Sequence, residues 1–275
     1  MQEKFRQFIR LLKWYFKAKT QFNIHSPFVF NFSQKVLEDD RVFYAFRDLE
    51  ILRKILADDR TKLKIKDYGA GSLVSDSKER SIRSLVKYSA TMPLYCRFLF
   101  RIINEYKPQT ILELGTSVGI STLYQSRAAM NAEFITIEGD PKIAAVAENN
   151  FRRMRAHNIR QITGTFEEKL VPALEALKKL DYAFIDGNHR EKPTVAYFET
   201  CLKYAHEDSI FIFDDIHWTE GMERAWEKII AHPQVTLSLD MYWFGVVFFK
   251  KEFQVKSNIA VAKSIWKPWI TGFFR

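Results

Sequence analysis

Short apolar runs alternate with amphipathic stretches along the middle of the chain. Each run has four or five residues, and each is followed by a stretch whose apolar residues recur at helical spacing. Strands that alternate with helices in this way favour a parallel sheet with helices on both faces. The predicted strands cover residues 110–114, 133–137, 159–163, 182–185 and 209–213.

The end of the chain differs, because two further apolar runs, 235–239 and 244–250, have no helix between them. A connection this short requires an antiparallel pair. The residues before the first strand have helical spacing and no clear strands. We therefore expect an α/β, Rossmann-like, doubly wound fold with a mostly parallel seven-stranded sheet and a C-terminal antiparallel hairpin. The predicted parts are a helical N-terminal extension or lid, an α/β domain and a basic aromatic tail, at residues 1–98, 99–251 and 252–275.

The net charge of +9 is concentrated at the two ends of the chain. Residues 1–20 and residues 250–275 each hold six Lys or Arg and one Glu. Such an excess favours an anionic partner, which can be a nucleic acid, a membrane surface or an acidic substrate. The first 20 residues are also amphipathic, so they lie on a membrane surface or pack as a lid or homodimer element. A basic binding surface forms if the two ends meet in the folded protein, which sequence alone does not decide.

The two cysteines, Cys96 and Cys201, lack the spacing of a disulfide framework or a zinc site. This usage fits a reducing compartment. The first residues lack the apolar segment of a secretory signal, and no apolar run is long enough to span a bilayer. We therefore expect a cytoplasmic protein.

A glycine-containing turn, Glu113-Leu-Gly-Thr-Ser-Val-Gly119, follows the first predicted strand. Its two glycines allow a tight turn and close backbone approach to a ligand. A dinucleotide site prefers a third glycine where this chain has Ser117, so a nicotinamide dehydrogenase is disfavoured. Glu113 would repel a pyrophosphate and attract an ammonium group. Glu138 ends the second strand, where an acid binds ribose hydroxyls. The two acids together suit a ligand made of an amino acid and a nucleoside.

Residues 112–123 resemble the first motif of class I S-adenosylmethionine-dependent methyltransferases, particularly the small-molecule O-methyltransferases of the catechol and caffeoyl-coenzyme A type. Residues 137–140 resemble the second motif, and residues 163–166 resemble the segment that flanks the adenine. The resemblance covers roughly residues 99–250 and implies S-adenosyl-L-methionine as the cofactor. The predicted cofactor-binding residues are Glu113, Gly115, Thr116, Ser117, Gly119, Ser121, Glu138, Gly139, Gly164, Thr165, Phe166 and Asp186.

Three acids follow the fourth and fifth predicted strands: Asp186, Asp214 and Asp215. Neighbouring parallel strands end at one sheet edge, so we expect these carboxylates to converge and to need a proton or a cation between them. Oxygen ligands favour Mg²⁺ or another divalent cation, which would lower the pKa of a substrate hydroxyl. Metal-dependent O-methyltransferases carry an Asp after strand four and an Asp–Asn pair after strand five. Asp186 and Asp214 match that pattern, whereas Asp215 departs from it and is more similar to related sugar and antibiotic methyltransferases.

Two histidines and one of these acids are the candidate catalytic residues. In the catechol-type family a lysine three residues after the first Asp is the general base, and this chain has His189 at that position. Histidine can take a proton near neutral pH. His217, two residues beyond Asp215, is a second candidate base, and Asp186 completes the predicted catalytic set. The alternative is that both histidines cap loops or bind the carboxylates.

The residues and the resemblance together predict methyl transfer to a hydroxyl of a small-molecule substrate, with Mg²⁺ assistance. An RNA methyltransferase is an alternative that the basic ends support. It is disfavoured because the chain lacks an Asp-Pro-Pro-Tyr or Asn-Pro-Pro-Tyr stretch and a motif-placed cysteine nucleophile. A non-catalytic methyltransferase-like binding protein is a third alternative. Residues 67–71 also resemble a cofactor loop, but the charged segment before them predicts an ordinary loop.

Overall fold

The computed structural model describes residues 2–65 and 79–268, with side chains from residue 5 onward. The loop predicted at residues 67–71 lies outside the described residues. The helices are α1 (Gln2–Lys17), α2 (Pro27–Phe32), α3 (Tyr44–Asp58), α4 (Ile82–Tyr88), α5 (Pro93–Tyr106), α6 (Ile120–Ala128), α7 (Pro141–Arg153), α8 (Phe166–Leu177), α9 (Glu191–Leu202) and α10 (Glu220–Ala231). The strands are β1 (Lys62–Lys64), β2 (Glu79–Ser81), β3 (Thr110–Leu114), β4 (Glu133–Glu138), β5 (Ile159–Thr163), β6 (Tyr182–Ile185), β7 (Ile210–Asp214), β8 (Leu237–Asp240), β9 (Phe244–Phe248) and β10 (Ser257–Ala260).

The strands β3 to β10 form one eight-stranded, mostly parallel sheet. The predicted Rossmann-like α/β class is confirmed, and β8 and β9 form the predicted antiparallel hairpin. The predicted number of seven strands is one too low, because β10 pairs in parallel with β8. The strands β1 and β2 form a separate antiparallel pair in a region where we expected none. Their charged, exposed residues give no apolar pattern that predicts a strand. Among the described residues, no helix combines the length and apolar character that crossing a bilayer requires.

The chain divides into two compact units. One unit joins Met1–Asp40 to Phe184–Arg275, and the other is Arg41–Ala183. These units do not follow the predicted parts, because the N-terminal segment belongs with the C-terminal strands. The predicted division into residues 1–98, 99–251 and 252–275 therefore stays a prediction about domain organisation.

The unit Arg41–Ala183 is built on a parallel ladder in which β4 pairs with both β3 and β5. Helices around this ladder bury a core that includes Phe46, Phe100, Tyr124 and Phe151. Local sequence explains the start of α7: the Asp140 carboxylate accepts hydrogen bonds from the backbone N–H groups of its first turn, and proline occupies its first position. The ladder and these helix starts fix the positions of the three loops that follow β3, β4 and β5.

In the other unit, β9 pairs with β7 on one side and β8 on the other. The helix α10 packs closely on β9 at Gly245. A Cβ atom on Gly245 would lie 2.5 Å from Cζ3 and 2.6 Å from Cη2 of Trp226. Glycine therefore allows the indole ring to lie directly on the strand.

We expect Gly245→Ala to lower the free energy of unfolding by about 1–3 kcal/mol, because the added methyl group overpacks the contact with Trp226. Urea denaturation followed by circular dichroism measures the change. Gly221→Ala is the matched control, since the nearest atom to its new Cβ would be 3.7 Å away. Gly221 lies in α10, where alanine is the better helix former by about 1 kcal/mol. Equal effects of the two substitutions would contradict this account of the packing.

Candidate active site

The turn after β3 has left-handed backbone conformations at three of its residues. Gly115, Ser117 and Gly119 have φ angles of +102°, +49° and +81°. Glycine adopts such angles without strain, as the sequence predicts for the two glycines. A Cβ atom on Gly119 would lie 2.5 Å from Cε1 of Phe151 and 3.2 Å from Cβ of Ala147. Gly119 therefore also permits α7 to pack against the start of α6.

Glu113 lies inside β3 rather than in the turn, and its side chain is fully buried. Four side chains donate hydrogen bonds to its carboxylate, and all belong to α6 or β4. The donors are Ser121 (2.9 Å), Thr122, Gln125 (2.7 Å) and Thr136 (2.7 Å). The predicted contact between this carboxylate and a ligand ammonium is therefore wrong. Glu113 instead anchors the first turns of α6 to the sheet.

Two other predicted cofactor-binding side chains also bond within the protein. The hydroxyl of Ser121 donates to Glu113, and the hydroxyl of Thr116 lies 2.6 Å from that of Thr136. Both residues are buried. Their side chains therefore serve the internal network rather than facing a ligand. Sequence analysis missed Thr122, Gln125 and Thr136 in this network.

Glu138 occupies the predicted place at the end of β4 and is half-buried. One carboxylate oxygen accepts from the backbone N–H of Ser117 at 2.8 Å, and the other accepts from that of Asp140 at 3.0 Å. Its own carbonyl accepts from the N–H of Gly164 at 2.9 Å. Glu138 thus ties together the loops that follow β3, β4 and β5. Burial raises the pKa of Glu138, while the N–H groups that bond its carboxylate act in the opposite direction.

The remaining predicted cofactor-binding residues lie in these loops. Gly139 follows Glu138, and Gly164 follows β5 with a φ of +146°. Thr165 is the residue before α8, and Phe166 begins that helix. Apart from Asp186 in the other unit and the buried Glu113 and Ser121, the predicted cofactor-binding residues lie at or just beyond the carboxyl ends of β3, β4 and β5.

The three predicted acids converge within the unit that contains Phe184–Arg275. Asp186, Asp214 and Asp215 lie close enough for their charges to act on one another. Burial and the neighbouring charges of Asp186 and Asp215 raise the pKa of Asp214 well above its ordinary value. Burial also raises the pKa of Asp215, which His189 partly counteracts. Asp215 has a φ of +55°, and its N–H donates to the carboxylate of Asp214 at 2.9 Å.

His189 lies beside this acidic cluster, as predicted for the base. Its Nε2 atom is 3.6 Å from Oδ1 of Asp186. Its ring meets the ring of Trp218 edge-on, with centroids 5.3 Å apart. The carboxylate can therefore stabilise the imidazolium that forms when His189 accepts a proton.

His217 does not fit the predicted role of base, because carboxylates engage both of its ring nitrogens. Nδ1 lies 3.1 Å from Oε1 of Glu223, and Nε2 lies 2.9 Å from Oδ2 of Asp240. Burial lowers the pKa of His217, but the hydrogen bonds and charges of Asp240 and Glu223 outweigh burial and raise it. The ring also stacks on Tyr242. Carboxylates thus hold both ring nitrogens of His217, which contradicts its predicted role as a base.

Comparison with known proteins agrees with this arrangement. Residues 112–216 match the family described as a methyltransferase domain. The chain is 32% identical over 123 residues to the catechol O-methyltransferase of Niastella koreensis, which covers 44% of this chain and 55% of that protein. It is 29% identical over 156 residues to the O-methyltransferase hkm8 of Aspergillus hancockii, with 53% and 59% covered. The chain thus spans little more than half the length of these two relatives.

A solved structure has the same fold. The SAH-bound methyltransferase PaMTH1 of Podospora anserina superposes with a TM-score of 0.58 at 15% identity, over 83% of this chain and 97% of that one. This solved methyltransferase shares the fold, and residues 112–216 match the methyltransferase-domain family, in agreement with the resemblance that the motifs predict. The two similar sequences named above are both O-methyltransferases.

Proposed function

We propose that this protein transfers a methyl group from S-adenosyl-L-methionine to a hydroxyl oxygen of a small molecule. The observation that carries the proposal is the position of Glu138, a half-buried acid that joins the three loops at the strand ends. Each of its oxygens accepts one backbone N–H and retains a lone pair that can accept from a ribose hydroxyl. The relatives named above support oxygen as the acceptor atom.

The cofactor, when bound, supplies a methyl group that its sulfonium already activates. The protein therefore has to bind the cofactor, orient the acceptor hydroxyl towards the methyl group and take up the hydroxyl proton. The glycines of the turn Gly115–Gly119 allow the cofactor to approach the backbone closely, while the N–H groups of Gly115, Ser117 and Gly119 bond within the protein. As the acceptor oxygen forms its bond to the methyl carbon, the bond from that carbon to sulfur breaks, and the hydroxyl proton passes to Nε2 of His189. Asp186 balances the charge on the protonated ring.

The acidic cluster does not fit a divalent cation in its present arrangement. Within the described ranges, there is no group of three or more His, Cys, Asp or Glu side chains that could hold a metal ion. The predicted Mg²⁺ dependence stays a prediction, and comparison of turnover in Mg²⁺ with turnover in a chelator tests it.

We expect the purified protein to bind S-adenosyl-L-methionine in a calorimeter and to release S-adenosylhomocysteine with a panel of phenols, catechols and sugars. His189→Gln should lower kcat by about 10²–10⁴-fold, because general-base catalysis is lost. It should leave cofactor affinity unchanged, since Glu138 and the turn after β3 are intact.

His157→Gln is the matched control, because His157 is exposed on another part of the surface. Absence of cofactor binding would refute the proposed function itself. Cofactor binding with equal turnover by both histidine variants would refute only the role of His189.

A further inference from the structure

The two basic ends of the chain meet in the folded protein. Lys19 pairs with Val261 in a parallel bridge, with its N–H donating to Ala260 at 2.7 Å and its carbonyl accepting from Ala262 at 2.8 Å. The hydroxyl of Tyr15 donates to the carbonyl of Trp266 at 2.6 Å. The charge excess at both ends of the sequence is therefore gathered within one unit.

One face of α1 is used to pack this helix on its own unit. The side chain of Gln7 donates to the carbonyl of Trp218, and the indole of Trp14 donates to the carbonyl of Asp240, both at 3.0 Å. Arg10 is buried and bonds to the carboxylate of Glu223 at 2.9 Å. These contacts involve one face of the helix only and leave the opposite face exposed.

That opposite face carries a stripe of phenylalanines. Phe5, Phe8 and Phe16 are 66%, 53% and 78% exposed, and Leu12 completes the stripe between them. The spacing of three, four and four residues aligns all four side chains along one side of the helix. Exposed aromatic side chains in such a line mark an interaction surface.

Lysines adjoin the stripe, and acids are absent from it. Residues 5–20 contain five Lys or Arg and no Asp or Glu. Arg6 and Arg10 pair with acids of α10, whereas Lys13, Lys17 and Lys19 are exposed. Helical geometry places Lys13 and Lys17 on the flank between the packed face and the stripe. Aromatics on one face with lysines beside them are the composition of helices that lie in the interface of an anionic membrane.

We propose that this aromatic–basic surface, formed by the stripe of α1 with Lys13, Lys17 and Lys19, binds the surface of an anionic lipid bilayer. The phenylalanines enter the boundary between headgroups and acyl chains, and the lysines face anionic headgroups. A second copy of the chain is disfavoured as the occupant, because a symmetric contact would bring two lysine clusters of equal sign together. The proposal does not depend on methyl transfer.

Vesicle flotation of the full chain tests this proposal. We expect binding to vesicles of phosphatidylcholine with phosphatidylserine, little binding to phosphatidylcholine alone, and release as salt rises. The triple variant Lys13→Gln/Lys17→Gln/Lys19→Gln should lower the apparent affinity by roughly 100-fold. The variant Phe5→Ser/Phe8→Ser/Phe16→Ser should lose binding to both kinds of vesicle.

The matched control, Lys54→Gln/Arg83→Gln/Lys203→Gln, removes the same charge from exposed positions elsewhere and should bind like the wild type. Circular dichroism melts establish that the variants fold. If the phenylalanine variant does not fold, the lysine variant, which keeps every apolar contact, decides the question. Three results would overturn the proposal: no vesicle binding, equal binding by the lysine variant and its control, or self-association or RNA retention through these residues without vesicle binding.

Discussion

Glu113→Leu is expected to lower the free energy of unfolding by about 3 kcal/mol, because Glu113 is fully buried among hydrogen-bond donors. The substitution places an apolar side chain of similar size in β3, but it removes the acceptor of four buried donors. A buried donor left without a partner costs about 1–3 kcal/mol, and the serine and threonine hydroxyls recover part of this by bonding to helix carbonyls. Urea denaturation monitored by circular dichroism measures the loss.

The substitution Glu113→Gln distinguishes the contribution of the hydrogen bonds to stability from that of the negative charge. The amide keeps one acceptor oxygen, and the neighbouring hydroxyls can rotate to accept from its NH₂ group, so we expect a smaller loss than with leucine. Glu133→Gln, at the exposed start of β4, should change stability little. If the leucine variant were as stable as the glutamine variant, the network around Glu113 would not anchor α6.

Glu138→Ala is expected to weaken S-adenosyl-L-methionine binding by about 100-fold or more. The substitution removes the proposed acceptor of ribose hydroxyls, and hydrogen bonds to a charged group contribute about 1.5–3 kcal/mol each. It also releases the N–H groups of Ser117 and Asp140, which the carboxylate holds between two loops. Isothermal titration with the cofactor and with S-adenosylhomocysteine measures both affinities.

The size of the side chain and its charge can be distinguished at Glu138. Glu138→Gln retains one acceptor oxygen and should give an intermediate affinity. Glu148→Ala removes an exposed acid of α7 and should bind the cofactor like the wild type. Unchanged affinity in Glu138→Ala, with a normal unfolding midpoint, would show that the cofactor does not contact this acid.

The elements that position the candidate site follow from local sequence. The predicted bounds of β3, β5 and β6 agree with the structure residue for residue, and β3 and β6 are short, mostly apolar runs. The start of α7 was equally predictable, since Asp140 and Pro141 act on the first turn of their own helix. Because parallel strands end at a common edge, the sequence also predicted that Asp186, Asp214 and Asp215 would converge.

Other features of the fold and the candidate site depend on partners in other helices and strands. The strand β10 has half-polar residues and exists because β8 offers it an unpaired edge. His217 has the sequence context of a base, but Glu223 and Asp240 engage both of its nitrogens. Glu113 occupies a motif position where we expected an acid that attracts a ligand ammonium group, but it is buried and bonds to donors of α6 and β4.

The sequence by itself determined the α/β class, the bounds of β3, β5 and β6, the cofactor motif and the placement of charge at the two ends, because periodicity, caps and turn residues act within a few positions. Only the tertiary structure decided which acids face inward, which histidine remains available as a base, and that the basic ends meet at Lys19 and Val261. Burial and hydrogen bonding between different elements make those choices, over separations from 6 residues at His217 and Glu223 to about 240 at Lys19 and Val261, and no local pattern encodes such contacts.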